Sequence, residues 1–140
     1  MRRGDAPVAR GTRPRDAEMK TALLVDDSPT MLMTMAGILE RMGFAVTTAA
    51  NGEEGLSCLR RGGFALVITD YHMPGINGVE MISAARKLPA ARFTPMLLLT
   101  TESEQRKRDE ARAAGATGWL VKPVAPDKLQ QVIRQVLPGA

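Results

Sequence analysis

The stretch Phe64-Ala65-Leu66-Val67-Ile68-Thr69-Asp70-Tyr71-His72-Met73-Pro74-Gly75 decides how the rest of the chain is read. Ala65 to Ile68 is an uninterrupted apolar run, partly β-branched, of the kind found in strands covered on both faces. The run meets a carboxylate at Asp70. Met73-Pro74-Gly75 then forces a loop, because proline fixes φ and glycine tolerates positive φ. Asp70 is therefore expected at the C-terminal edge of a central strand, where open α/β sheets keep their chemistry. In that place it reads as a nucleophile.

The remainder of the chain sets the class. At 140 residues one domain with a real core is expected, and an apolar content of 44% with mixed charge suits a soluble globular protein. No apolar run approaches the ~18 residues of a membrane span. Arginines open the chain without an apolar segment after them, so no secretory signal is expected. The single cysteine, Cys58, cannot form an internal disulfide, and no Cys/His metal cluster accompanies it. A reducing, cytoplasmic location follows as the expectation.

The net charge of +4 divides unevenly. Residues 1–18 carry five arginines against Asp5, Asp16 and Glu18, a net +2, and read as a flexible basic N-terminal extension. Residues 19–140 carry the other +2 over a much longer stretch, so the body is nearly balanced. No nucleic-acid partner and no membrane partner is expected from it.

From Thr21 onward, apolar runs alternate with amphipathic segments. Ala22-Leu23-Leu24-Val25 reads as a first strand ending in Asp26-Asp27. Ser28-Pro29 opens a helix, with serine as cap and proline tolerated in the first turn. Met31, Met35, Ile38, Leu39 and Met42 recur at helical spacing up to Gly43, and this stripe reads as core packing rather than a binding groove. Phe44 to Ala49 is a more polar second strand, expected at an edge. Asn51 caps a helix to about Arg61, with Glu53 and Glu54 near its positive end. After the Asp70 strand come a helix over Asn77 to Lys87, a loop to Thr94, and a strand over Pro95 to Thr100. A charged helix over Ser103 to Ala114, a fifth strand over Thr117 to Val121 and a last helix over Pro126 to Leu137 complete the series. Five strand–helix units imply a doubly wound five-stranded parallel sheet with right-handed crossovers and helices on both faces.

Laid side by side, the strands bring four polar signals to one rim. Asp26 and Asp27 end the first strand, Asp70 the third, Thr100 the fourth, and Lys122 the fifth. Taken singly, Asp26 or Asp27 reads equally well as a helix cap, and Lys122 as a solvated surface lysine. Their coincidence carries the argument. Three crowded carboxylates repel one another unless a positive charge intervenes. A hard divalent ion such as Mg²⁺ suits them, since it takes few carboxylates and leaves positions for water and phosphate oxygens. Lys122 offers a mobile point charge, Thr100 a hydroxyl donor, and Asp70 a carboxylate able to form an acyl phosphate.

These residues resemble a response-regulator receiver domain, flavodoxin-like in fold. The resemblance spans residues 20–137 and rests on Leu24-Val25-Asp26-Asp27-Ser28, on Ile68-Thr69-Asp70 through Ile76-Asn77-Gly78, on Leu99-Thr100-Thr101, and on Gly115 through Val121-Lys122-Pro123. It implies a sheet of order 2-1-3-4-5 and phosphorylation of Asp70 by a sensor histidine kinase with Mg²⁺. By the same resemblance Asp26, Asp27 and Asp70 hold the metal, with the backbone carbonyl of Met73 or of His72 as a further ligand. Thr100 and Lys122 bind the phosphoryl group, and the Lys122–Pro123 bond is cis. Thr100 and Trp119 form the switch pair, although the family usually carries tyrosine or phenylalanine at the second position. Thr101 is larger than the residue common beside the switch threonine, and His72 occupies a variable position that affects phosphate lifetime.

No DNA-binding or enzymatic segment follows the last helix in this sequence, so the expected output is binding. The resemblance is to single-domain chemotaxis regulators, which implies the flagellar motor switch as partner, engaged through the fourth helix, fifth strand and fifth helix. Such a protein is not an enzyme in the ordinary sense, though it catalyses its own phosphoryl transfer and slow loss of phosphate, sometimes with help from a phosphatase. Arg106, Lys107, Arg108 and Arg112 give the fourth helix a basic face, diluted by Glu102, Glu104, Asp109 and Glu110. One alternative is a phosphate shuttle or sink exchanging with a histidine-phosphotransfer protein. Another, of a different class, is a phosphate- or flavin-binding enzyme, but Asp26-Asp27-Ser28-Pro29 lacks the glycines of a dinucleotide loop.

Overall fold

A computed structural model describes residues 19–101 and 105–138. The expected basic extension over 1–18 lies outside the described residues, as do Ser103, Glu102 and Glu104. Among those described, the strands are β1 (Thr21–Val25), β2 (Ala45–Ala49), β3 (Phe64–Asp70), β4 (Met96–Thr100) and β5 (Gly118–Val121). The helices are α1 (Pro29–Arg41), α2 (Gly52–Arg61), α3 (Gly78–Ala85), α4 (Gln105–Ala114) and α5 (Pro126–Val136). A short 3₁₀ turn, Pro89–Ala91, interrupts the stretch expected to be plain loop.

All strand pairs are parallel and the order is β2-β1-β3-β4-β5, as the sequence implied. The more polar second strand lies at an edge, and the Asp70 strand lies at the centre. β3 earns that place by composition: Leu66, Val67, Ile68 and Thr69 are all inaccessible to solvent. Period-two alternation sends neighbouring side chains into two separate apolar layers. Leu66 and Ile68 join Leu24, Leu97 and Leu99 beneath α1 and α5. Val67 joins Leu23, Val25 and Leu98 beneath α2, α3 and α4. Each wholly buried Leu or Ile contributes about 1.5–3 kcal/mol.

The helices begin where the sequence supplies caps. Ser28 Oγ accepts from Met31 N at 3.2 Å, and proline occupies the first turn of α1. Asn51 Oδ1 accepts from Glu54 N at 2.8 Å. Asn77 and Glu80 exchange reciprocal bonds of 2.8 Å, a capping box that starts α3 directly behind the loop following Asp70. The methionine stripe of α1 is core, with Met35, Ile38 and Leu39 buried. No helix among the described residues is long and apolar enough to cross a membrane.

Parallel pairing continues past the strand ends and fixes the rim. Asp26 N donates to Ala49 O at 3.1 Å, Tyr71 N to Leu99 O at 2.7 Å, and Lys122 N to Thr100 O at 2.8 Å. Asp26, Tyr71 and Lys122 at the rim are therefore held by backbone hydrogen bonds to their neighbouring strands.

Candidate functional site

Asp26, Asp27 and Asp70 converge at the C-terminal rim of the sheet. Each offers a carboxylate oxygen, and these oxygens lie within 4.8 Å of one another. Asp26 and Asp70 are buried, at 5% and 6% exposure, while Asp27 faces solvent. Lys122, reaching in from the end of β5, places Nζ 2.7 Å from Asp70 Oδ1 and 3.9 Å from Asp26 Oδ2. The lysine that would read as a solvated surface residue in isolation is thus the counter-ion of the acidic group.

Asp26 serves two ends with its two oxygens. Oδ1 accepts from Ser28 N at 2.9 Å, which shapes the turn into α1. The cap itself is Ser28, so neither aspartate is spent on the helix N-terminus. Oδ2 is buried and receives no hydrogen bond. Burial pushes the Asp26 carboxyl above the ordinary carboxylate value; the Ser28 N–H opposes this, Asp70 and Asp27 add to it, and Lys122 counters them. A buried oxygen with no hydrogen bond, and only a long 3.9 Å ion pair to Lys122, costs free energy unless a closer positive charge meets it. A divalent cation fits that requirement, and the all-oxygen donor set suits a hard ion.

Asp70 is placed by its own strand end. Its Oδ1 accepts from Tyr71 N at 3.0 Å as well as from Lys122, and Thr69 Oγ1 donates to its carbonyl at 3.1 Å. Thr100, at 1% exposure, ends the adjacent strand. Leu98 is the register partner of Trp119, and Thr100 follows two residues on, so Thr100 and Trp119 share a sheet face. Trp119 is half-buried against the apolar layer under α4, and its indole N–H is buried with no hydrogen-bond partner among the described residues. The Lys122–Pro123 peptide is cis.

The loop after Asp70 forms the open side. Asp27, Tyr71, His72, Met73, Pro74 and Asn77 line a shallow cleft there. His72 is exposed and its ring lies against that of Tyr71, centroids 4.7 Å apart. Gly78, at the start of α3, sits so close that an added Cβ would lie 2.3 Å from the Asp70 carbonyl oxygen. That helix seats directly on the strand end.

Two features escaped the sequence reading. Tyr71 is buried, and its hydroxyl donates to Glu110 Oε1 at 2.5 Å and accepts from Lys107 Nζ at 2.9 Å. Lys107, assigned to a basic face of α4, is engaged inward and stacks over the Tyr71 ring at 4.6 Å. Arg86 is the second: its guanidinium donates to the carbonyls of Ala91, Arg92, Thr94 and Gly115 and to Thr117 Oγ1, tying the α3–β4 and α4–β5 connections together. Strand alternation could have pointed Tyr71 to the α4 side, but nothing in the sequence pairs Arg86 with carbonyls.

Comparison with known proteins agrees with this geometry. The family model described as "Response regulator receiver domain" matches residues 22–134. The chemotaxis protein CheY of Pseudomonas aeruginosa is 33% identical over 115 residues, covering 81% of this chain and 93% of that protein. CheY-3 of Vibrio cholerae is 32% identical over the same length, 81% of this chain and 88% of its own. The structure of Vibrio cholerae CheY4 superposes with a TM-score of 0.82 at 40% identity, covering 85% of this chain and 99% of that one.

Proposed function

The chain belongs to the family of response regulator receiver domains and is of the CheY type, and from that premise we propose that Asp70 accepts a phosphoryl group from a histidine kinase and thereby switches a binding surface. The observation that carries the reading is the buried Asp70 carboxylate, 2.7 Å from Lys122, beside an Asp26 Oδ2 that is buried without a hydrogen bond. In the transfer, an Asp70 carboxylate oxygen forms a bond to phosphorus as the phosphorus–nitrogen bond of phosphohistidine breaks. The imidazole leaves with the electron pair and takes up a proton. Lys122 holds the acceptor carboxylate before transfer and can follow a phosphoryl oxygen after it, and the Thr100 hydroxyl is a donor for another.

Asp26, Asp27 and Asp70 are the residues that would hold Mg²⁺, with the carbonyl of Met73 or, less centrally, of His72 completing the protein ligands. When bound, the ion supplies neutralisation of the charge on the phosphoryl oxygens. Burial of Asp70 keeps most water from the acyl phosphate, so self-dephosphorylation is slow; a partner phosphatase would accelerate it. The protein catalyses its own phosphorylation and is otherwise not an enzyme.

The output is binding. The α4–β5–α5 face has an apolar floor of Trp119, Val121, Pro123 and Val124 with Arg108 and Lys128 on its rim. Such a face suits an acidic amphipathic segment. By analogy with the chemotaxis relatives, the flagellar motor switch is the leading partner, and a histidine-phosphotransfer protein is the competitor. The receiver is taken to occupy 19–140, working in the cytoplasm.

The test incubates the protein with a phosphorylated histidine kinase and then with each candidate partner. Phosphate-dependent binding to the motor-switch segment is expected. Rapid return of phosphate to a histidine-phosphotransfer protein, without motor binding, would make the protein a shuttle. No transfer to Asp70 at all would end the proposal.

A further inference from the structure

α4 has an unusually small apolar seat. Ala111 is its one buried residue among those described, and most of the rest of its sequence is charged. A helix so poor in apolar contacts needs another anchor, since packing of an apolar face supplies most helix stability in proteins. The polar contact to Tyr71 is that anchor. The Tyr71 hydroxyl, part-buried, donates to Glu110 and accepts from Lys107, residues three apart on the same face of α4. The Lys107 ammonium also lies over the ring.

The other end of Tyr71 is bound to the phosphoacceptor. Its backbone N–H donates to Asp70 Oδ1, the same oxygen that Lys122 approaches, and to Leu99 O. Its carbonyl accepts from Gly78 N at 2.8 Å. The residue is thus fixed at its backbone by Asp70, β4 and α3, and at its tip by α4. A change in what Asp70 Oδ1 and Lys122 hold reaches the Tyr71 backbone through one hydrogen bond.

We propose that Tyr71 is a positioning residue that pins α4 to the phosphoacceptor strand and carries the state of Asp70 to that helix. The pin stands on the resting geometry alone, while the coupling rests on Asp70 being the phosphoacceptor. It is distinct from Trp119, which lines a cleft with Ala111 on the β5 side of α4.

The experiment is amide hydrogen exchange on wild type, Tyr71→Phe, Glu110→Gln and the double variant, with and without acetyl phosphate and Mg²⁺. Intact mass of the same samples counts bound phosphate. Tyr71→Phe keeps the ring and its packing and removes only the hydroxyl. It is expected to speed exchange in α4 about fivefold, in line with loss of a charge-assisted hydrogen bond at a half-exposed site, leaving β1 and α5 unchanged. The double variant is expected to match Tyr71→Phe. Phosphate should alter α4 exchange in wild type at least twice as strongly as in Tyr71→Phe. The pin is overturned if α4 exchange in Tyr71→Phe stays within twofold of wild type, or rises evenly across the molecule. The coupling is overturned if α4 responds equally to phosphate in both proteins. Absence of phosphate on wild type would show separately, in the mass, and would remove the coupling while leaving the pin to be judged on the resting samples.

Discussion

Gly78→Ala adds one methyl group where α3 meets the Asp70 strand. The new Cβ would lie 2.3 Å from the Asp70 carbonyl oxygen and 2.8 Å from Leu98 Cδ1. An ordinary carbon–oxygen contact is about 3.3 Å or more, so one side must retreat by about 1 Å. The obstacle is backbone in the central strand, held by its ladder, so the helix end must move. That movement strains the 2.8 Å bond from Gly78 N to Tyr71 O. Overpacking of this kind costs about 1–3 kcal/mol and the weakened hydrogen bond about 1 kcal/mol. The lower chain entropy of alanine gives back up to about 1 kcal/mol. A net loss of about 1–3 kcal/mol is expected, a fall in Tm of roughly 4–12 °C for a domain of this size. Gly52→Ala is the comparison: its Cβ would come 2.4 Å from Ile76 Cγ1, a side chain on the loop before α3 rather than strand backbone. It should cost less than Gly78→Ala, about 1 kcal/mol, the low end of the overpacking range. Urea denaturation and calorimetry on both variants measure the contrast. Equal stability of Gly78→Ala and wild type, or a larger loss in Gly52→Ala, would refute the reasoning that strand backbone is the immovable partner.

Three other outcomes follow from the same geometry. Arg86→Met should lower stability by about 2–4 kcal/mol in urea titration, because it strips the donor from four carbonyls across two loops, whereas Arg86→Lys should recover only part of the loss. The single tyrosine should titrate above its ordinary value of 10.0, owing first to burial and next to the Glu110 hydrogen bond, and phenolate absorbance should show it falling in Glu110→Gln. Because the folded value is raised, the stability that Tyr71 contributes is fully present below pH 10 and is lost as pH climbs through the folded value. Lys122→Met should slow phosphorylation by acetyl phosphate by about 10² or more, as loss of a preorganised cation does elsewhere, while Mg²⁺ binding measured by calorimetry persists or tightens. An unchanged rate would remove Lys122 from the phosphoryl site.

The fold and the polar rim were legible because both depend on short-range pattern. β3 announces itself through Leu66 to Ile68, and Asp26, Asp27, Thr100 and Lys122 each stand directly after or at the end of an apolar run, so strand order alone gathers them. The capping residues Ser28 and Asn51 were equally local. What stayed hidden depends on contacts between residues distant in sequence. Tyr71 and Glu110 are 39 positions apart, and only the placement of α4 over β3 brings them together. Lys107 looked like part of a solvated basic face because helical spacing reports which residues share a side and says nothing of what that side meets. Arg86 binds carbonyls, which leave no trace in side-chain composition. The close approach at Gly78 appears only when Asp70 is in place.

The central claim is that Asp70 is the phosphoacceptor of a cation-dependent site. Intact mass spectrometry after acetyl phosphate treatment, followed by borohydride trapping and peptide mapping, tests it directly. One phosphate on wild type, mapped to Asp70, abolished by chelator and absent from Asp70→Asn, is the predicted result. No gain on wild type, or a stable phosphate on Asp70→Asn, would contradict it.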